Sequence, residues 1–481
     1  MKQMLKKITA LLMTGLLNGC VMLNTSSSSS SESGMDISEI NSSYSSSSST
    51  NNSSSNNNKK TEVIFYHTMN ALKSEYLNAF IKSFEEENEN IKVTPISAGS
   101  LPMLQNDILS NNYNGKVATM ALCYRYNVDA FVDNNRSISL NQYINDSEYG
   151  FEEDDIRDFQ NVGFWNEGSD AYGNDGTFYS IPFSEFTDVL YINTDLMMEY
   201  GFKDPNDETK PYTPQTWDEM WKLCKDLKEL NPSITPLGID SEHNMFITLC
   251  EQYGIPYASF DSNGNKSVDF NNSNTKDLMQ ELKDNYDKGY FKIRNGGKLL
   301  SGDLLTKRTA MCIGSTLDAP YYLNDPEFDY DKNNIDISPI PQKNINNPKS
   351  ISQGFVITLL NGEGITKEQT LASWLFAKHI TSTYNSAVYA LLTGCEPVRE
   401  SSYDEYIYQK YLNVPNEGEK LLSKVANVAS NLKGTYFSYP AFMDSDIANK
   451  ELKNLIVKIL NGTNIDTALG NAKNLICDSI K

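Results

Sequence analysis

Residues 61–97, TEVIFYHTMNALKSEYLNAFIKSFEEENENIKVTPIS, decide the fold class. Val63, Ile64, Phe65, Tyr66 and His67 form a short apolar and aromatic run, the pattern of a strand buried on both faces. From Ser74 to Glu87 the period changes. Tyr76, Phe80 and Phe84 share one helical stripe, with Leu77 and Ile81 beside it. Ile91 to Ile96 then returns to strand character. Strand, helix and strand within about 35 residues make a βαβ unit with parallel strands. Open α/β sheets hold ligands beyond the carboxyl ends of their strands. That rule marks Tyr66 and His67 as candidate binding residues.

The alternation continues downstream. Val117 to Tyr124 reads as a strand, as do the runs ending at Phe183 and at Asn193. Thr216-Trp217-Asp218-Glu219 is a capping box that opens a helix reaching Leu230. Asn263-Gly264 suits a hairpin tip, and Thr309 to Ile313 is another strand. The last third is mainly helical: 371–380, then 384–392 stopped by Gly394, then 447–460 and a short final helix through Leu475.

Upstream, Lys2, Lys6 and Lys7 precede a run of about ten apolar residues, too short for the roughly 20 a bilayer span needs. It reads as a signal-peptide core. It ends at Leu17-Asn18-Gly19-Cys20, which resembles the bacterial lipobox. The resemblance implies cleavage before Cys20 and lipidation of its thiol. From Thr25 to Lys60 two thirds of the residues are Ser or Asn. Such a tract has too few apolar side chains to offset ordering entropy, so it is expected to be a disordered tether. Some 36 residues of this kind reach about 30–36 Å.

The whole chain has 481 residues, enough for two lobes, and a formal charge of -21. That balance and a total of six arginines exclude nucleic acid and anionic lipid surfaces as partners. Seven cysteines include no C-x-x-C pair, so neither zinc nor redox chemistry is indicated. Those other than Cys20 are read as mostly buried thiols. No cofactor or metal is expected. Asn174-Asp175-Gly176 lacks the spacing of a calcium loop and reads as a turn.

Phe65-Tyr66-His67-Thr68-Met69, Ile181-Pro182-Phe183, Val189 to Leu196, Tyr212 to Glu219, Lys307 to Met311 and Thr393 to Val398 occur in an order that resembles the glycerol-3-phosphate-binding and maltodextrin-binding proteins of ABC importers. The likeness extends over about 61–480. It implies an α/β, two-lobe periplasmic-binding-protein-like fold (type II), with the ligand cleft between lobes joined by hinge segments. The implied division is 1–19 signal peptide, 20–60 lipidated cysteine and tether, 61–182 and 311–357 lobe 1, and 183–310 and 358–481 lobe 2. Crossings are expected near Phe183, near Met311 and from Gln353 to Thr358. The implied role is a non-enzymatic, monomeric carrier. It would be lipid-anchored at the outer face of the bacterial cytoplasmic membrane and deliver a carbohydrate or a glycerol-3-phosphate-like solute to a permease.

Carrying the glycerol-3-phosphate site over gives matches at Ser315 and Thr316 and a half match at Gln353-Gly354. Arg125, Glu185 and Cys395 stand where the family has other residues. Independently, Tyr66, Tyr124, Trp165, Tyr436 and Tyr439 would offer flat faces with polar handles to a sugar. Glu185 would accept and Arg125 donate charge-assisted hydrogen bonds. The alternatives are a secreted carbohydrate-active hydrolase, for which no G-x-S-x-G or H-E-x-x-H motif is present, and an adhesin on a Ser-rich stalk. Paired glycosidase carboxylates need only proximity in space, so the hydrolase stays open.

Overall fold

The computed structural model describes residues 60–69, 71–111, 115–173, 176–294, 299–319, 335–414 and 420–480. The signal peptide, Cys20, the tether and the Asn174-Asp175 turn lie outside them. Residues 60–481 form one compact unit.

Ten strands make two five-stranded sheets. They are β1 (Thr61–His67), β2 (Ile91–Ser97), β3 (Met120–Tyr124), β4 (Ile181–Phe186), β5 (Asp188–Asn193), β6 (Thr235–Ile239), β7 (Phe291–Ile293), β8 (Thr309–Ser315), β9 (Ile335–Pro339) and β10 (Gln353–Leu359). The first sheet runs β2-β1-β3-β10-β4 and the second β7-β6-β8-β5-β9. β1 pairs in parallel with β2 and β3, as the opening βαβ pattern requires. The helix between them, Ala71–Glu87, buries Leu77, Phe80, Ile81 and Phe84 against the sheet. Each sheet also contains an antiparallel strand, the last in the chain in the first sheet and the first in the chain in the second. β10 pairs with β3 and β4, and β5 pairs with β8 and β9.

The local signals hold. Thr216 and Glu219 cap the Trp217–Leu230 helix reciprocally. Gly394 ends the Thr383–Thr393 helix with φ +74, a left-handed backbone that glycine adopts at no steric cost. Val117 stays outside β3. The six described cysteines form no disulfide, and all but Cys477 are buried.

The expected lobe boundaries need correction. The first crossing is Thr187, the single residue between β4 in one sheet and β5 in the other. Residues 183–186 therefore remain with the first sheet. Met311 is no crossing: it pairs with Ile192 and Leu237 inside the second sheet. Among the described residues the chain returns between β9 and β10, so 311–319 and 335–339 belong with lobe 2. The helices Lys367–Ile380, Thr383–Thr393 and Tyr406–Asn413 pack into the core of the first sheet, not the second. The Asp446–Leu460 and Ile465–Ser479 helices join the second core, as expected of them. A strand such as β8 is buried along nearly its whole length. Its sequence therefore carries no polar face that would name its sheet.

Candidate functional site

The crossing is fixed by hydrogen bonds. The Thr187 hydroxyl donates to the Ile351 carbonyl at 2.6 Å, and its N–H to Thr316 Oγ1 at 3.3 Å. The Thr316 N–H returns to the Thr187 carbonyl at 2.8 Å. Thr316, a candidate ligand residue, is thus buried in the joint between lobes.

Beside this joint, a cavity of about 450 Å³ opens between the two sheets. The first lobe supplies Leu101, Pro102, Tyr124, Tyr126, Phe186 and Gln353. The second supplies Ser241, His243, Asn244, Ser315, Leu317 and Asp318, with Asp444, Asp446 and Asn449 closing one side. Tyr124 stands at the carboxyl end of β3, where the Arg125–Asp133 helix begins. Its ring packs at 4.5 Å from Phe355 and 6.1 Å from Tyr126. Ser315 ends β8, and its hydroxyl caps the following turn at Leu317 N–H. His243 and Asn244 lie in the first turn of Glu242–Tyr253, and Asp446 in that of Asp446–Leu460.

Hydrogen bonds cross the cavity floor. Asn244 Nδ2 donates to Gln353 Oε1 at 2.8 Å, and Gln353 Nε2 donates to Asp444 Oδ1 at 3.0 Å. Gln353 thereby ties the first sheet to both sides of the second lobe. At the rim, Lys266 of the Lys266–Val268 strand reaches Asp129 at 2.8 Å and Asp133 at 2.6 Å, on a helix of the other lobe.

Burial shapes the charges. It pushes the Asp444 carboxyl up to about 6, against the pull of Arg125. It also raises Asp318, with Arg294 opposing. Burial and then the nearby Lys453 charge lower His243 to about 4, so its imidazole is neutral at pH 7. Among the described lining residues, none carries a positive charge at that pH.

Tyr124, Ser315 and Gln353 reach this cavity; the other sequence candidates do not line it. Tyr66 packs in the core with Ile64 and Val356. His67 is 3 % exposed, accepts the Met69 N–H at Nδ1, and is held near 4 by burial. Trp165 is stacked among Phe151, Phe159 and Phe178. Tyr436 lies against Phe164 at 4.7 Å and donates to the Ala429 carbonyl. Tyr439 lies under the Arg125 guanidinium at 4.7 Å. Arg125 is 1 % exposed, sits 2.8 Å from Glu167, and donates to the Ser352 carbonyl. Glu185 accepts from the Ser352 hydroxyl at 3.0 Å. Burial, then the Glu167 charge, raise its carboxyl well above the usual range. Gly354 faces it closely: any Cβ there would collide with the Ser184 carbonyl and the Glu185 carboxylate. Apart from Tyr439, which packs in the second core, these residues lie within the first lobe.

The residues missed were Tyr126, His243, Asn244, Asp318, Asp444, Asp446 and Asn449. Their one available signal was position, since most stand at helix starts that face the strand ends.

The chain matches the model of the bacterial extracellular solute-binding protein family over residues 79–416. It is 24 % identical over 184 residues to the sn-glycerol-3-phosphate-binding periplasmic protein of Brucella abortus, covering 38 % of this chain and 39 % of that relative. The match to the Agrobacterium fabrum counterpart is 22 % over 171 residues, covering 35 % and 36 %. The chain thus spans about two fifths of the length of the curated relatives it matches. Among solved structures, MalE of Xanthomonas citri superposes with a TM-score of 0.68 at 14 % identity, over 87 % of this chain and 98 % of that one. The cyclic alpha-maltosyl-1,6-maltose binding protein of Arthrobacter globiformis gives 0.66 at 15 %, over 88 % and 99 %. UgpB of Mycobacterium tuberculosis, solved with glycerophosphocholine, gives 0.64 at 15 %, over 87 % and 98 %. What these structures share with it is the overall fold. The chain belongs to the bacterial extracellular solute-binding protein family.

Proposed function

We propose that this protein is an exported lipoprotein, anchored through Cys20 at the outer face of the cytoplasmic membrane. It captures a carbohydrate between its lobes and passes it to an ABC permease without altering it. The observation that carries the reading is the cavity of about 450 Å³ lined from both sheets. Its size suits a small organic solute. The aromatic rings of Tyr124, Tyr126 and Phe186 match the C–H faces of a sugar, and Gln353, Asn244 and Ser315 match its hydroxyls. A cleft shared by two lobes lets the ligand draw them together about the crossing segments. The carboxylates of Asp318, Asp444 and Asp446 disfavour glycerol-3-phosphate, because they would repel its phosphate. No described helix is long and apolar enough to cross a membrane.

Thermal unfolding against sugars, oligosaccharides, glycerol-3-phosphate and glycerophosphodiesters tests this. A ligand at about 100 times its Kd adds roughly 2.7 kcal/mol and raises the midpoint. A selective rise with a saccharide, recovered unchanged, is the expected result. No rise across the panel overturns the carbohydrate assignment, and consumption of a glycoside overturns the carrier reading.

A further inference from the structure

We infer that the cleft selects a polyhydroxylated solute bearing a protonated amine. The inference rests on the carbohydrate reading above and adds the charge of the ligand.

Three carboxylates, Asp318, Asp444 and Asp446, face one cavity, and the described lining offers no cation to match them. The nearest bases stand outside the lining and are engaged. Arg125 is 2.8 Å from Glu167, Lys453 is 3.5 Å from Glu242, and Arg294 offsets Asp318. A second observation points to a donor from the ligand. Asn244 is 3 % exposed and its amide group donates to Gln353 and bonds Asp188, yet Oδ1 accepts no hydrogen bond. A buried acceptor left this way costs free energy until a donor arrives. An ammonium group supplies three donors and the missing charge at once. The third observation is aromatic. Tyr124, Tyr126 and Phe186 line the same cavity, and ring faces attract cations, more strongly when water is displaced. Asp318 and Asp444 are both held above their ordinary range by burial. A nearby cation lowers both again, so the cation and the ionised carboxylates favour each other. An amino sugar meets all these features; a neutral sugar leaves the charge unmatched.

Titration calorimetry of the full chain separates the possibilities. The probes are a glucosamine disaccharide with free amines, its N-acetylated counterpart, maltose and choline, each at low and high salt. The free amine is expected to bind at least about tenfold tighter than the N-acetylated form, with the preference shrinking in salt. Asp446→Asn, at an exposed position, is expected to narrow that preference by weakening the free-amine form more than the N-acetylated form. Equal or tighter binding of the N-acetylated sugar or of maltose overturns the inference and leaves the carbohydrate reading standing. Binding of choline alone upholds the charge selection and overturns the carbohydrate reading. Binding of none of the four overturns the inference and removes the support for a sugar ligand.

Discussion

Glu167 and Glu185 are sealed inside the first lobe, whereas Asp318, Asp444 and Asp446 reach the cavity. The sealed pair meets its counter-groups within the chain: Arg125 sits 2.8 Å from Glu167, and Ser352 donates to Glu185. The cavity group is held by Gln353 on Asp444, with Arg125 offsetting its charge, and by Arg294 near Asp318. Charges closed off from the cavity hold a structure; carboxylates that line it are placed to meet a partner from solution. The contrast explains why polar residues near a cleft divide into scaffold and site.

The largest expected effect is on the sealed side. Arg125→Ala leaves Glu167 buried without its cation and is expected to cost about 3–5 kcal/mol in chemical denaturation. A loss below about 1 kcal/mol would break the distinction by showing that the pair is dispensable. Next is Glu396, bonded through its backbone to Glu185 and through its carboxylate to the Tyr403 hydroxyl at 2.8 Å. Burial holds its carboxyl at about 8. Below its unfolded value both states carry the proton. Between there and about 8 only the folded state keeps it, so stability falls as pH rises through that window. Glu396→Gln removes this term. Relative to the unsubstituted chain, the variant is expected to gain about 2 kcal/mol between pH 5 and pH 8 in urea titrations. A pH-independent difference would show that the carboxyl is ionised when folded. The smallest effect belongs to the rim. Lys266→Ala removes the ion pair between lobes, worth about 0.5–1 kcal/mol. It is expected to weaken a confirmed ligand by roughly two- to fivefold with little change in the unliganded melting midpoint. Unchanged affinity would mean that Lys266 does not hold the lobes together in the bound state.

The opening βαβ unit, the Thr216 cap and the Gly394 stop were legible because each depends on neighbours in sequence. The lobe boundaries were not, because β8 and β10 are buried runs that either sheet could accept. The site was legible where a residue ends a strand, as with Tyr124 and Ser315. Arg125 and Glu185 misled because a charged residue among aromatic ones reads equally as ligand contact or buried network. Only the partners, Glu167 and Ser352, distant in sequence, decide between them. Asn244 and Asp444 carried no local mark, since Gln353 brings them together across more than 90 residues each.

The place of β10 has a consequence for how the molecule is made. It lies inside the first sheet, between β3 and β4, yet it is the last strand of either sheet to leave the ribosome or a translocation pore. Until Leu359 has emerged, β3 and β4 each lack a neighbour and expose unpaired edges. The second sheet, contained between Asp188 and Pro339, has all its strands earlier. The strands of the second sheet are therefore complete before those of the first, while both cores still wait for helices that follow β10.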